Sequence, residues 1–251
     1  MDKIRISAVK YANTYPFIYG LTESGLDRKV ALETDHPADC AAKLIAGKVD
    51  IGLIPVAALP LMEEYHIISD YCIGTVGDVR TVLLLSNCSF DEIETVYLDY
   101  RSRSSIALSK VLASNFWNRE FRWMNTSKGF DFRNIGKNQA VVLIGDQCFE
   151  YEKSFRQKID LAAEWKDFTG LPFVFACWTA NKPIPEDFTV EFNLALKMGV
   201  NNIDKVVEKF GETGTIQGEI LKKYLTVNID YNLDEKKKKG LEMFLDLVKK
   251  L

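Results

Sequence analysis

The stretch IRISAVKYANTYPFIYGL, running from Ile4 to Leu21, decides how this chain folds. Ile4, Ile6 and Ala8 alternate with Arg5 and Ser7, the period of two that a half-buried strand shows. Lys10 to Pro16 is a polar, aromatic loop. Phe17, Ile18 and Leu21 then form the apolar side of a helix with Pro16 in its first turn, where a missing N–H costs little. The order is therefore strand, loop, helix, with the loop at the carboxyl end of the strand. Open α/β sheets bind their ligands at that edge. Asn13 and Thr14 donate and accept hydrogen bonds beside the free N–H groups of a helix start, a place suited to an anion. The same residues also suit a plain polar turn.

The pattern repeats outward from this stretch. KVALET (Lys29 to Thr34) reads as a second strand. His36-Pro37 opens a helix with Ala41, Leu44 and Ile45 inward, stopped at Gly47. His36 fits a ligand contact, an acid/base group or an ordinary entry loop. VDIGLIPV (Val49 to Val56) is apolar almost throughout, as in a strand buried on both faces. Strands and helices alternating at this spacing imply βαβ units and a parallel sheet. A strand at Ile67 to Ile73 leads into Gly74–Thr81, where two glycines and small polar residues suggest backbone passing close to a ligand or another segment. Pro55, Arg80 and Thr81 lie at such ends.

A second site signal begins at Ile93 to Asp99. This strand runs into Tyr100-Arg101-Ser102-Arg103-Ser104-Ser105 and a helix from Ile106 to Leu112. A serine-rich helix start offers hydroxyls, free N–H groups and the positive end of a dipole. Arg101 and Arg103 add donors suited to a carboxylate or phosphate. Capping by serine with solvated arginines is the alternative. Phe116 to Phe132 is aromatic and irregular. Ala140 to Ile144 is a buried strand closed by Gly145-Asp146, and Asp146 suits a ligand contact, a base or a helix cap. Phe173 to Thr179 is another strand. Helices are expected over 187–196, 203–210, 216–224 and 234–251, with Lys236 to Lys239 on a solvated face.

The totals exclude several classes. The chain has 251 residues, 47% hydrophobic and 27% charged, with a net charge of -3, so nothing draws it to nucleic acid. The start MDKIRISAVK has no apolar signal region, and no apolar run approaches the ~20 residues of a membrane helix, so a cytoplasmic protein without membrane contact is expected. The five cysteines (Cys40, Cys72, Cys88, Cys148, Cys177) are scattered, and His36 and His66 are the only imidazoles. No metal site is expected from them, and reduced, buried thiols are.

The site-like loops fall into two groups, one after Ile6–Ala8 and Val49–Ile54, the other after Val96–Leu98 and Val141–Ile144. Two apolar strands, Val79–Leu85 and Phe173–Thr179, stand between the groups. Two lobes with a central cleft are therefore expected. The first is discontinuous, residues 1–83 plus 177–251, and the second, 84–176, is inserted.

Taken together, the blocks resemble those of a known family. They are AVKYANTYP (Ala8 to Pro16), GKVDIGLIP (Gly47 to Pro55), GDVRTV (Gly77 to Val82), Leu98-Asp99 with SRSS (Ser102 to Ser105), Ile144-Gly145-Asp146, and TGLPFVFA (Thr169 to Ala176). In that order they are similar to the chorismate dehydratases of the futalosine route to menaquinone. The resemblance implies an α/β, type II periplasmic-binding-protein-like fold. It implies loss of water from chorismate to give 3-[(1-carboxyvinyl)oxy]benzoate, with no cofactor, by a monomer or homodimer. It gives catalytic roles to Asn13 and Thr81, the latter where the family commonly has Ser. It gives substrate binding to Tyr11, Thr14, Pro55, Arg80, Ser102, Arg103, Ser104, Ser105 and Asp146. No obvious base stands in the blocks, so the substrate's own enolpyruvyl carboxylate is the expected proton acceptor. A 1,4-dihydroxy-6-naphthoate synthase-like sibling, whose usual Pro-Cys-Pro-Asn-like opening is absent, and a non-catalytic solute-binding protein are the alternatives.

Overall fold

Residues 3–212, 214 and 216–251 are described by the structure, a computed structural model. The opening stretch folds as β1 (Ile4–Val9), a short 3-10 turn at Ala12–Thr14 and α1 (Tyr15–Glu23), with Pro16 in the first turn. β2 (Val30–Asp35), α2 (Pro37–Ile45) and β3 (Ile51–Pro55) follow, and Gly47 takes φ +65° just past the end of α2. That left-handed position is where a glycine ends a helix at least cost. β1 pairs in parallel with both β2 and β3. Because β1 is central rather than at an edge, it is not half-buried as its alternation suggests. Ser7 is buried too, beneath α2, where its hydroxyl donates to Asp35 Oδ2 at 2.8 Å.

The chain then lays down β4 (His66–Thr75) and crosses to a second sheet through 76–81. There it forms β5 (Val82–Ser86), β6 (Thr95–Leu98), α3 (Arg103–Leu112), β7 (Arg122–Asn125), β8 (Gln139–Ile144), α4 (Cys148–Tyr151), β9 (Gln157–Asp160) and α5 (Leu161–Thr169). Gly170 (φ +71°) turns it back into β10 (Phe173–Ala180) of the first sheet. α6 (Glu186–Val200), α7 (Ile203–Phe210), α8 (Gly218–Lys223), β11 (Asp230–Asn232) and α9 (Glu235–Val248) complete it. The first sheet runs β11-β4-β10-β3-β1-β2 and the second β7-β6-β8-β5-β9. Cuts at 83/84 and 176/177 would split β5 and β10, each of which lies wholly in one sheet. By sheet membership the chain changes lobe at 76–81 and 170–172 instead.

Every residue of β10 is buried, consistent with its place between β4 and β3. On its faces Trp178 packs between Phe17 (5.7 Å) and Phe192 (5.1 Å), while Phe173 meets Trp165 and Phe244. Burying side chains of this size contributes roughly 2–3 kcal/mol each, which anchors both lobes to one strand. α1 crosses α6 with Gly20 and Gly199 at the contact, so backbone touches backbone. The lysine run is not all solvated. Lys237 is fully buried, its stem on Gly74 and its Nζ 2.8 Å from Asp230. β11 supplies that carboxylate from outside the helix, and a buried ammonium requires such a partner.

Candidate active site

The carboxyl ends of β1, β3, β6 and β8 converge on one cleft between the sheets. A small cavity of about 60 Å³ lies there, lined by Tyr11, Asn13, Pro55, Thr81, Ser102, Ser104 and Ser105 among others. Residues separated by up to 94 positions in sequence are thus brought together, as the strand-end argument requires. The cavity is narrow and sits in the cleft where the two sheets face each other. A larger trough on the outer side, beside β4, α6 and α9, contains none of these residues.

The cavity wall is neutral. Its polar groups are hydroxyls and one amide, and none of its lining side chains is a carboxylate, amine, guanidinium or imidazole. The arginines expected to hold an anion are engaged elsewhere. Arg80 (φ +63°) gives its N–H to Asp160 Oδ2 at 2.7 Å and its guanidinium to Glu152 at 2.9 Å. Arg101 grips Asp99 with two bonds of 2.7 and 2.6 Å, and Arg103 is exposed. The first turn of α3 presents opening N–H groups without an intrahelical partner, an arrangement suited to an anion.

The serines divide their work. Ser102 caps α3, accepting from Ser105 N–H at 3.1 Å, and its hydroxyl donates to Ser105 Oγ at 2.8 Å. Ser104 joins the lobes: it donates to the Phe175 carbonyl at 2.9 Å and accepts from Ala57 N–H at 3.3 Å. Ser105 Oγ, having accepted from Ser102, keeps its own proton for a ligand. Across the cleft, Asn13 Oδ1 accepts from Thr14 Oγ1 at 3.2 Å, and its carbonyl accepts from Tyr231 at 3.0 Å. Thr14 is therefore a support for Asn13, buried behind the wall rather than part of it.

Thr81 shares a 2.8 Å hydrogen bond with the hydroxyl of Tyr224. Sequence reasoning missed Tyr224. It opens a π-helical turn, Tyr224–Asn228, beyond α8. Such turns gather at functional sites but leave no mark in a single sequence. Tyr11 reaches across to Gly145, where a Cβ would stand 2.7 Å from its ring. Its hydroxyl meets His36 Nδ1 at 3.3 Å, and burial together with the charges of Lys10 and Arg101 holds the His36 pKa down, favouring neutral imidazole.

Asp146 is neither a cap nor a wall residue. Both its oxygens accept from Ala12 N–H at 3.1 Å, so the carboxylate clasps the start of the first loop from the other lobe. Burial pushes its pKa up to about 6, with the Ala12 N–H opposing. The raised value sets the sign. Between about pH 4 and about pH 6 the folded state holds a proton that the unfolded chain has released, so this group's contribution to stability falls as pH rises through that window. Two units correspond to about 3 kcal/mol. Asp146→Asn removes the penalty. Its stability relative to the parent, measured by urea unfolding, is expected to rise by up to about 3 kcal/mol from pH 4 to pH 7. A pH-independent difference would contradict the assignment.

Among the described residues no helix is long and apolar enough to cross a membrane, and no group of three His, Cys, Asp or Glu could hold a metal. The geometry can be set beside known proteins. A curated chorismate dehydratase from Thermus thermophilus is 24% identical over 257 residues, covering 94% of this chain and 92% of its own length. One from Campylobacter jejuni is 24% identical over 225 residues, covering 83% and 99%. Among solved structures, a Candida albicans gene product described as having the generic periplasmic binding protein fold superposes with a TM-score of 0.72 at 12% identity, over 100% of this chain and 91% of its own. The two-lobed architecture is that fold. A family model described as menaquinone biosynthesis matches residues 4–250, and the chain belongs to that family.

Proposed function

We propose that this protein is a chorismate dehydratase, a carbon–oxygen lyase that converts chorismate to 3-[(1-carboxyvinyl)oxy]benzoate and water on the futalosine route to menaquinone. The observation that carries the reading is the neutral, hydroxyl-rich cavity that the family's motif residues form where the two sheets meet. Chorismate has two carboxylates and a hydroxyl on a ring one elimination short of aromatic. Its barrier is lowered by holding the dianion in one pose and stabilising charge as hydroxide departs. The α3 start and Ser105 suit a carboxylate, and Asn13 and Thr81 suit oxygens at the reacting ring.

The same neutrality bears on the base. Of the carboxylates beside the wall, Asp146 is held by Ala12 N–H outside it and Asp99 is paired with Arg101. On this reading the substrate's enolpyruvyl carboxylate takes the ring proton next to the ether. The C–H electrons enter the ring, the C–O bond breaks, and the departing hydroxide takes up that proton to leave as water. No cofactor is consumed, and the protein works in the cytoplasm as a monomer or homodimer on a free small molecule. Incubating the purified protein with chorismate is expected to produce a new benzoate-type absorbance. Chorismate left unchanged would overturn the reading, and a bound but unreacted ligand would favour a solute-binding role.

A further inference from the structure

Tyr224 stands behind Thr81, one of the two residues that the family resemblance makes catalytic, and nothing in the motif blocks points to it. It is 1% exposed and comes from the C-terminal segment, far from the cleft loops in sequence. Its ring is held edge-on by Phe149 at 5.4 Å. Its hydroxyl lies 2.8 Å from Thr81 Oγ1.

The direction of these hydrogen bonds follows from the groups. A phenol is a stronger donor than an aliphatic alcohol, and an aliphatic oxygen is the better acceptor. A buried hydroxyl proton with no acceptor is costly. Among the described residues, Thr81 Oγ1 is the hydrogen-bond partner of the Tyr224 hydroxyl. The Tyr224 proton then belongs on Thr81. The Thr81 proton has only the Val79 carbonyl within the protein, at a long 3.4 Å, and otherwise points into the cavity that Thr81 lines.

We propose that Tyr224 is a positioning residue that makes Thr81 a hydrogen-bond donor to the substrate, through a directed chain from the Tyr224 hydroxyl to the Thr81 hydroxyl and on to the substrate. Its consequence for catalysis rests on the dehydratase reading. Burial raises the Tyr224 pKa well above that of a free phenol, so the proton stays on Tyr224 throughout and no proton is relayed. Tyr224 orients Thr81, and successive bonds in the chain strengthen the last one. That last donor meets the substrate oxygen that gains charge as hydroxide leaves.

Two measurements test this. A neutron diffraction map of the protein exchanged into D₂O is expected to show deuterium on Tyr224 directed at Thr81 Oγ1 and the Thr81 deuterium directed into the cavity. The reverse orientation overturns the proposal whatever the activity. In steady-state kinetics with chorismate, Tyr224→Phe is expected to lower kcat about tenfold, as for one lost hydrogen bond, with KM within about twofold. In a Thr81→Ala background the same change is expected to do nothing further, because its effect passes through Thr81. An unchanged kcat in Tyr224→Phe, or a full tenfold loss in the Thr81→Ala background, overturns the proposal. A parent protein that leaves chorismate unchanged defeats the dehydratase reading instead, and the neutron map then decides the orientation by itself.

Discussion

Gly199→Ala is expected to destabilise the protein by about 3 kcal/mol or more, the largest effect of any single methyl group added to this fold. A Cβ at Gly199 would overlap the Pro16 carbonyl, and one at Gly20 would overlap the Ala195 carbonyl. Neither neighbour can swing away, because both are helix backbone. α1 and α6 must separate, and Phe17, fully buried against Trp178 and Tyr231, loses packing as they do. The gain of about 1 kcal/mol in helix propensity on replacing glycine does not cover this. Urea unfolding is expected to show the midpoint falling sharply at an unchanged slope. Gly77→Ala is the control: its Cβ would meet nothing within 4 Å, and a change within about 0.5 kcal/mol is expected. A Gly199→Ala protein as stable as the parent would mean that α1 and α6 are not packed this way. The effect reaches the cleft as well, since Pro16 follows directly on the loop that carries Asn13.

The elements legible in the sequence are those whose signals are local. β1, α1, α2 and β3 each carry a periodicity and a stop signal of their own, and β10 is a continuous apolar run. The convergence of Tyr11, Asn13, Pro55, Thr81, Ser102, Ser104 and Ser105 follows from one topological rule, that strand ends meet at one edge. What stayed hidden depends on distant partners. Val79 to Leu85 reads as one strand, but Arg80 adopts φ +63° because its N–H is held by Asp160, eighty residues away. β7 is an edge strand whose residues are largely exposed, so it shows no alternation. Lys237 looks like its neighbours until Asp230 and Gly74 close over it. The arginines beside the motifs suggested cationic anion binding, and their carboxylate partners are evident only in three dimensions. Asp146 and Tyr224 act across the lobe boundary, and a linear pattern does not contain that boundary.

The cleft places most of its demand on Asn13, and Asn13→Ala is expected to lower kcat by about 10² to 10³, the range for losing one preorganised donor at a developing charge. The side chain can be removed with little effect on folding. It is partly buried, and its side-chain hydrogen bond is the one from Thr14, while the bond from Tyr231 goes to the backbone and survives. A change in melting temperature of no more than a few degrees is therefore expected, which separates the catalytic loss from unfolding. The kinetic split is informative. If Asn13 served mainly to bind the dianion, KM would rise at constant kcat. The neutral cavity argues otherwise, because carboxylates already have the α3 N-terminus and Ser105. Asn13 lines the cavity from the opposite side. The loss should thus fall on kcat, with KM changed by less than about fivefold. Asn13→Asp makes the argument sharper. It keeps the shape but puts a negative charge beside a dianion in a site with no compensating cation, so it is expected to be at least as impaired as Asn13→Ala at neutral pH and to recover in part as the pH is lowered and the new carboxyl takes a proton. An Asn13→Asp enzyme with near-parent turnover at pH 7 would show that Asn13 does not face the substrate, and would reopen the side-chain carboxylates as candidates for the base.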